Sequence, residues 1–320
     1  MNHHLAESNT AATIVLANFL DHQPEGSFSV NKLTNLPEKC SIRVNFFDLT
    51  TTTERDPKRE IECEALRHML RKSRKSLTLV SACSINEITP EKLQLLQLLI
   101  QKSEFLEVSD WHNDAAYGCL ANDFNKLKGL KLLTSLSTDQ ALLVFERVAT
   151  SSKLVKLDLT YTTFTGNREE VCRSLLGSLR RNRSLKELKF TLERLGDEET
   201  LPSLLETSIL ETKIQSLSIK GSEYDPCLPW NVLVDIMGRD GCQLESVRLD
   251  DTEILLSPAD SRLPSNNEQR SDSSSNTTVT NFTLNWKKLD SVMLTDIIAP
   301  FQSLLHLDLQ YGRISDLSPL

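Results

Sequence analysis

Six histidines (His3, His4, His22, His68, His112 and His306) and seven cysteines (Cys40, Cys63, Cys83, Cys119, Cys172, Cys227 and Cys242) are the side chains best suited to nucleophilic, acid–base or metal chemistry. Their spacing argues against all three. Beyond the adjacent terminal pair His3 and His4 the histidines are isolated. No C-x-x-C occurs, so neither a zinc ribbon nor a thioredoxin-type redox pair is available. Asp110-x-His112-x-Asp114 has the oxygen-ligand rhythm of a calcium loop but lacks the glycine and the distal glutamate, and it reads as a polar turn after a strand. No G-x-x-x-x-G-K-[ST], G-x-G-x-x-G, G-x-S-x-G or H-E-x-x-H is present, so phosphate-loop, hydrolase-elbow and zincin chemistry have no anchor. The expectation is a protein that is not an enzyme and uses no cofactor and no metal.

Charge narrows the partners. Lys and Arg number 36 against 44 Asp and Glu, a net charge of −8, which weighs against a dedicated nucleic-acid binder because phosphate contacts need a basic surface. The basic stretches Arg67–Lys75 and Arg180–Arg183 fall where helices end before strands, where bases complement the helix dipole. The sequons at Asn182, Asn276 and Asn281 read as chance matches, Asn281 lying within a predicted strand. Seven cysteines, odd in number and spread singly, suit reduced intracellular thiols. The N-terminal segment lacks a basic signal-peptide region, and the longest apolar runs, such as Leu93–Ile100, are too short to span a bilayer. A soluble protein of the cytoplasm or nucleus is expected.

The elements that must position any binding residue are set by a repeat. Leucine is by far the commonest residue, about 55 of the chain. The pattern L-x-x-L-x-L, with apolar substitutions, begins at Leu127, Leu154, Leu185, Ile214, Leu244, Val279 and Leu304, in steps of about 25 to 35 residues. Weaker copies start at Ser103 and Arg74, and Ile42–Leu49 alternates as a strand that opens the sheet. Helical patterns lie between: Lys58–Lys72, Pro90–Gln101, Arg168–Arg181, Glu198–Leu210 and Pro229–Met237, the last two with proline near the first turn. One strand-plus-helix unit cannot bury its apolar face alone, and stacking supplies the core.

These residues resemble the leucine-rich repeat family, specifically its long, ribonuclease-inhibitor-like class. Leu185–Leu205 carries that class's L-G-D followed by a helix with spaced leucines, and Cys242-Gln243-Leu244 is similar to its C-x-L strand opening. The resemblance covers about Arg74 to Leu320. It implies an α/β solenoid with a parallel sheet on the concave face and helices on the convex face. Two departures stand out. The Asn or Cys that the family places three residues after each hexad is replaced by Thr162, Glu193, Ser222, Thr252, Lys287 and Gly312, so irregular turns are expected. The last repeat, from Leu304, is similar to a shorter class.

The expected organisation is a cap over residues 1–41, with a helix near Thr10–Leu20, then a solenoid of about eight or nine repeats over 42–320. Ser257–Thr278 is polar and aperiodic and reads as a disordered insert. Leu320 stands where a further helix should begin, so the chain reads as cut from something longer or as ending without a cap. The leucines of each hexad point inward, leaving its second, third, fifth, seventh and eighth positions for solvent. The eighth position reads Tyr161, Leu192, Gly221, Asp251, Trp286 and Tyr311, and acids stand at Asp158, Asp250 and Asp308. Exposed Trp and Tyr are favoured at interfaces. The candidate partner-binding residues are therefore Trp286, Tyr311, Tyr161, Asp308, Asp250 and Asp251, unless the rings fold onto the loops that follow them. The function that both the residues and the resemblance imply is recognition of a partner protein, with no small-molecule substrate, nucleic acid or membrane. The alternatives are the adaptor or receptor portion of a larger assembly, or an enzyme with an unrecognised site.

Overall fold

The structure, a computed structural model, describes residues 13–16, 41–46, 77–82, 88, 90–191, 200–221, 228–250, 254–255, 278–285 and 297–310. The chain divides into two compact units, Met1–Thr134 and Ser135–Leu320. Both are α/β with parallel strands.

In the first unit β1 (Thr13–Leu16), β2 (Ser41–Phe46), β3 (Leu77–Ala82), β4 (Ser103–Ser109) and β5 (Gly129–Leu133) pair side by side in sequence order. Helices α1 (Pro90–Lys102) and α2 (Asp114–Asn122) make the last two connections. A helix is expected near Thr10–Leu20, of which the structure describes Thr13–Leu16. Thr13–Leu16 forms β1 instead, in register with Ser41–Val44 of β2. Three β-branched residues in a row (Thr13, Ile14 and Val15) resist helix and suit a pleated surface, and a strand partner is at hand. Part of the segment expected as a cap therefore joins the sheet.

In the second unit β7 (Lys156–Leu159), β9 (Glu187–Thr191), β10 (Ser216–Lys220), β12 (Ser246–Asp250), β14 (Asn281–Asn285) and β15 (His306–Gln310) pair in that order, all parallel. The pairing register is the hexad register. Leu157, Leu188, Leu217, Val247, Phe282 and Leu307 stand opposite one another, every one at the fourth hexad position. A backbone device repeats at each strand start. The carbonyl of the second hexad position (Val155, Lys186, Gln215, Glu245, Thr280) accepts two successive amides of the next strand, at 2.8–3.0 Å. Shorter strands recur between sheet strand and helix: β6 (Ser135–Ser137) pairs with β8 (Thr163–Thr165), and β11 (Leu228–Pro229) with β13 (Ile254–Leu255). Among the described residues neither sheet closes into a barrel.

The helices of this unit are α3 (Thr138–Thr150), α4 (Arg168–Arg181), α5 (Thr200–Leu210) and α6 (Trp230–Gly238). Ser137 and Gln140 form a reciprocal capping box at the start of α3, and Asn167 caps α4. Gly166, just before that cap, has φ +102, and a Cβ there would also sit 2.6 Å from the Thr138 hydroxyl, so glycine fits on both counts. Pro229, expected inside the first turn of α6, belongs instead to β11, and the helix starts at Trp230. Each helix turns an apolar stripe to the sheet, as Val171, Leu175 and Leu179 do on α4. Trp230 of α6 packs against Phe282 of β14, and both rings meet Phe301, at centroid distances of 5.0–6.0 Å. One sheet face is thus buried under helices and the other is open. The helix expected at Lys58–Lys72 and, apart from Thr278, the stretch Ser257–Thr278 lie outside the described residues. No helix among the described residues is long and apolar enough to cross a membrane.

Candidate functional site

Side chains alternate across a strand, so the hexad register decides which residues reach the open face of the second unit. The fourth and sixth positions of β9 (Leu188, Phe190), β10 (Leu217, Ile219), β12 (Val247, Leu249) and β14 (Phe282, Leu284) are fully buried. The third and fifth positions form two polar rows across the strands. One reads Lys156, Glu187, Ser216, Ser246, Asn281, His306, and the other Asp158, Lys189, Ser218, Arg248, Thr283, Asp308. The seventh position continues β9 to β15 with Thr191, Lys220, Asp250, Asn285 and Gln310.

Of the residues the sequence nominates for this face, Trp286, Tyr311 and Asp251 lie outside the described residues. Tyr161 is 50% exposed. Its hydroxyl accepts a hydrogen bond from Lys220 Nζ at 3.0 Å, and the same ammonium lies 4.6 Å from the ring centroid. Asp250 is held by Arg248 Nε at 2.6 Å, an intrastrand pair that keeps the guanidinium pKa above its ordinary value, with Asp308 adding to the same field. Asp308 is exposed and accepts from Gln310 Nε2 at 2.9 Å. These residues do not form one cluster. Tyr161 follows β7 and Asp308 sits on β15, five strand spacings or about 24 Å apart.

Asp158, expected among the exposed acids, is buried, because its carboxylate accepts both the amide and the hydroxyl of Thr160 at 3.0 and 2.7 Å. The charges that the sequence reading passed over are bases. Glu187 lies between Lys156 at 2.9 Å and Lys189 at 3.3 Å. Partial burial pushes the Glu187 pKa up, but the two lysines together outweigh it and hold the carboxyl below the usual range. Lys220 bonds to the neutral Tyr161 and stands opposite Asp250 in the register of β10 with β12. The signal for all three lysines was the third, fifth and seventh hexad positions, open to reading once the register was set.

The other chemistry-bearing residues resolve into structure. Asn113 caps α2 by accepting the Ala115 amide, and Asp114 lies in the first turn, so the Asp110–Asp114 segment is a helix start. Cys119 and Cys172 are buried, and burial raises the Cys119 thiol pKa, with Asp123 adding to the rise. Among the described residues no group of three or more His, Cys, Asp or Glu is placed to hold a metal ion. Arg180 and Arg181 cross to neighbouring helices, pairing with Glu211 at 2.6 Å and Glu146 at 2.9 Å, and Arg239 reaches Glu206 at 2.7 Å.

Asn182 has a role its sequon hides. Its amide donates to the carbonyls of Val148 and Ser151, and its oxygen accepts the amides of Ser184 and Leu185. Ser151 and Thr212 do related work in adjacent repeats, accepting the amides of Leu154 and Ile214. The buried polar steps of this unit therefore include the helix-to-strand turns. No protein-family model matches the chain, and no curated protein matches it.

Proposed function

We propose that the chain is a leucine-rich repeat solenoid of the ribonuclease-inhibitor-like class, its sheet concave and its helices convex. We further propose that it works as a non-catalytic recognition module that binds a partner protein on the open sheet face, in the cytoplasm or nucleus. The observation that carries this reading is the shared register of the second unit. One set of hexad positions is buried strand after strand, while the alternate set carries polar side chains, partly or fully exposed except at Asp158, Ser218 and Thr191. Such a surface, backed by a packed core, positions side chains for contact without exposing the backbone. Repeated strand starts and recurring short strands support the repeat assignment. Attachment to a larger adaptor or receptor assembly remains compatible with the same face.

The test is affinity capture from native extract with three forms of the protein. Ser216→Tyr with Thr283→Tyr places two bulky neutral side chains on the open face, and Leu143→Arg alters an exposed position on α3. The reading expects the same stoichiometric partner with wild type and the α3 variant, and its loss from the double-tyrosine variant at an unchanged circular-dichroism melt. Equal capture by all three would sink it.

A further inference from the structure

The open face of the first unit carries something that the second lacks. On β4 the buried Leu106 and Val108 alternate with Phe105, Glu107 and Ser109, and on β5 the buried Leu130 and Leu132 alternate with Gly129, Lys131 and Leu133. Phe105 is 41% exposed. The third, fifth and seventh positions of the described strands in the second unit hold no apolar side chain, so Phe105 is the one exposed aromatic on these rows. Its place is set by the neighbouring strand. Gly129 stands opposite it in register, and a Cβ at Gly129 would sit 2.5 Å from Cδ1 and 2.9 Å from Cε1 of the ring. The ring edge thus fills the space that a side chain at 129 would need, a close approach that glycine permits. The charges beside it are closed in pairs. Glu104 meets Lys128 at 2.9 Å and Glu107 meets Lys131 at 3.2 Å, each pair joining β4 or its start to β5.

We propose that Phe105 is the apolar anchor of a protein–protein contact on the first unit, the partner covering the exposed part of the ring with an uncharged aliphatic or aromatic side chain. This contact rests on the recognition role proposed above and adds to it a second surface and the chemistry it takes. An exposed aromatic set among polar groups that can exclude water is the arrangement of an interface hot spot. The ring already lies against the backbone of β5, so a partner that covers it has little side-chain freedom left to remove. The neutrality of the occupant follows from the charges. Both carboxylates and both ammonium groups beside the ring are engaged with each other, so a charged side chain would be desolvated there without a free counter-ion. A nucleobase also stacks on an aromatic ring, but its phosphate would meet lysines that are already paired.

The probe is a library of random short peptides displayed on phage, selected on the wild-type chain with soluble Phe105→Ser protein as competitor. Selected peptides are synthesised with a fluorescein label and titrated by fluorescence polarisation, beside a single-stranded oligonucleotide. The expected peptide is centred on an uncharged apolar residue and binds about tenfold or more weakly to Phe105→Ser. Gly129→Ala keeps the ring but drives it from its seat, and weakens the same peptide about threefold or more. Phe105→Tyr keeps both ring and seat and retains binding. Leu143→Arg, at an exposed apolar position on α3, leaves binding unchanged. The glycine variant keeps the test decisive should Phe105→Ser melt early. Failure to select any peptide, selection of peptides centred on a charge, equal binding to Phe105→Ser, or oligonucleotide binding without peptide binding overturns the proposal. Capture of the native partner separates the two levels. If the double-tyrosine variant of the second unit loses the partner and Phe105→Ser keeps it, the second unit's face is used and the Phe105 contact is wrong. If neither variant changes capture, the recognition reading fails with it.

Discussion

Replacing Asn182 with alanine removes four hydrogen bonds at once: the amides of Ser184 and Leu185 lose their acceptor, while the carbonyls of Val148 and Ser151 keep only the Ser151 amide and the Ser184 hydroxyl. Unsatisfied buried groups are far costlier than a bond exchanged with water, so Asn182→Ala is expected to lose about 2–4 kcal/mol in urea denaturation. Asn182→Asp tests the geometry. It keeps an acceptor for the two amides but turns an oxygen toward two carbonyls, so it is destabilising at neutral pH and recovers near about pH 4, where the protonated acid can donate. A loss below about 0.5 kcal/mol for both would show the turn to be held by other groups. Tyr117 offers a second residue-level test. Burial pushes its phenol up to about 12 from 10.0, with Asp114 and Asp110 adding and the Thr134 hydroxyl opposing. A pKa raised on folding contributes stability that is complete below the unfolded value and lost as pH rises, here between about 10 and 12, by roughly 2–3 kcal/mol. Tyr117→Phe loses the hydroxyl bond to the Trp111 carbonyl, which Thr134 still approaches at 3.4 Å, so it costs about 1 kcal/mol at neutral pH. The variant should then overtake wild type in alkaline melts, and parallel curves would contradict the assignment.

At the scale of the element, strand register is the sharpest claim. Leu157 and Leu188 are wholly buried at the fourth hexad position, and alanine at either is expected to cost about 2–5 kcal/mol. Lys156→Ala and Lys189→Ala break partly exposed pairs with Glu187 and should cost no more than about 1 kcal/mol. Thermal melts that reversed this order would mean a one-residue slip, which flips every side chain to the other face. These strands were legible because a period of two in the hexad and an apolar helical stripe leave strong marks, and α4 spans Arg168–Arg181 as the sequence reading placed it. Helix α3 was not singled out, although its Ser137–Gln140 capping box stands in the sequence. The strands β6, β8, β11 and β13 have only two or three residues, too few for any period, and exist because a neighbouring repeat supplies the partner. The candidate site was half legible. The register predicted which positions face outward, but not that Asp158 would be covered by bonding along its own chain to Thr160 or that Lys220 would reach across β9 to Tyr161. Those outcomes depend on side-chain geometry between repeats, which hydropathy does not encode.

Across the whole second unit, every strand of the sheet bonds only to the strands beside it, so stability should be distributed along the stack rather than shared by all of it. The two ends of that distribution differ in burial. Leu188, Phe190, Leu217 and Ile219 on β9 and β10 are fully buried. On β15, the last described strand, Leu307 and Leu309 are only half-buried, and Leu305 before it is 75% exposed. Hydrogen bonds over a thin apolar cover open at low cost, so native-state hydrogen exchange should find β9, β10 and β12 the most protected and β15 the least. Leu217→Ala separates nearest-neighbour stability from all-or-none unfolding. It leaves a cavity under β10, and the loss of about 2–5 kcal/mol should appear in the exchange of β9, β10 and β12. The β15 amides need only the β14–β15 pairing to open and should exchange at the wild-type rate. An equal fall in protection on every strand would make the unit one cooperative block, in which case contacts beyond nearest neighbours carry its stability.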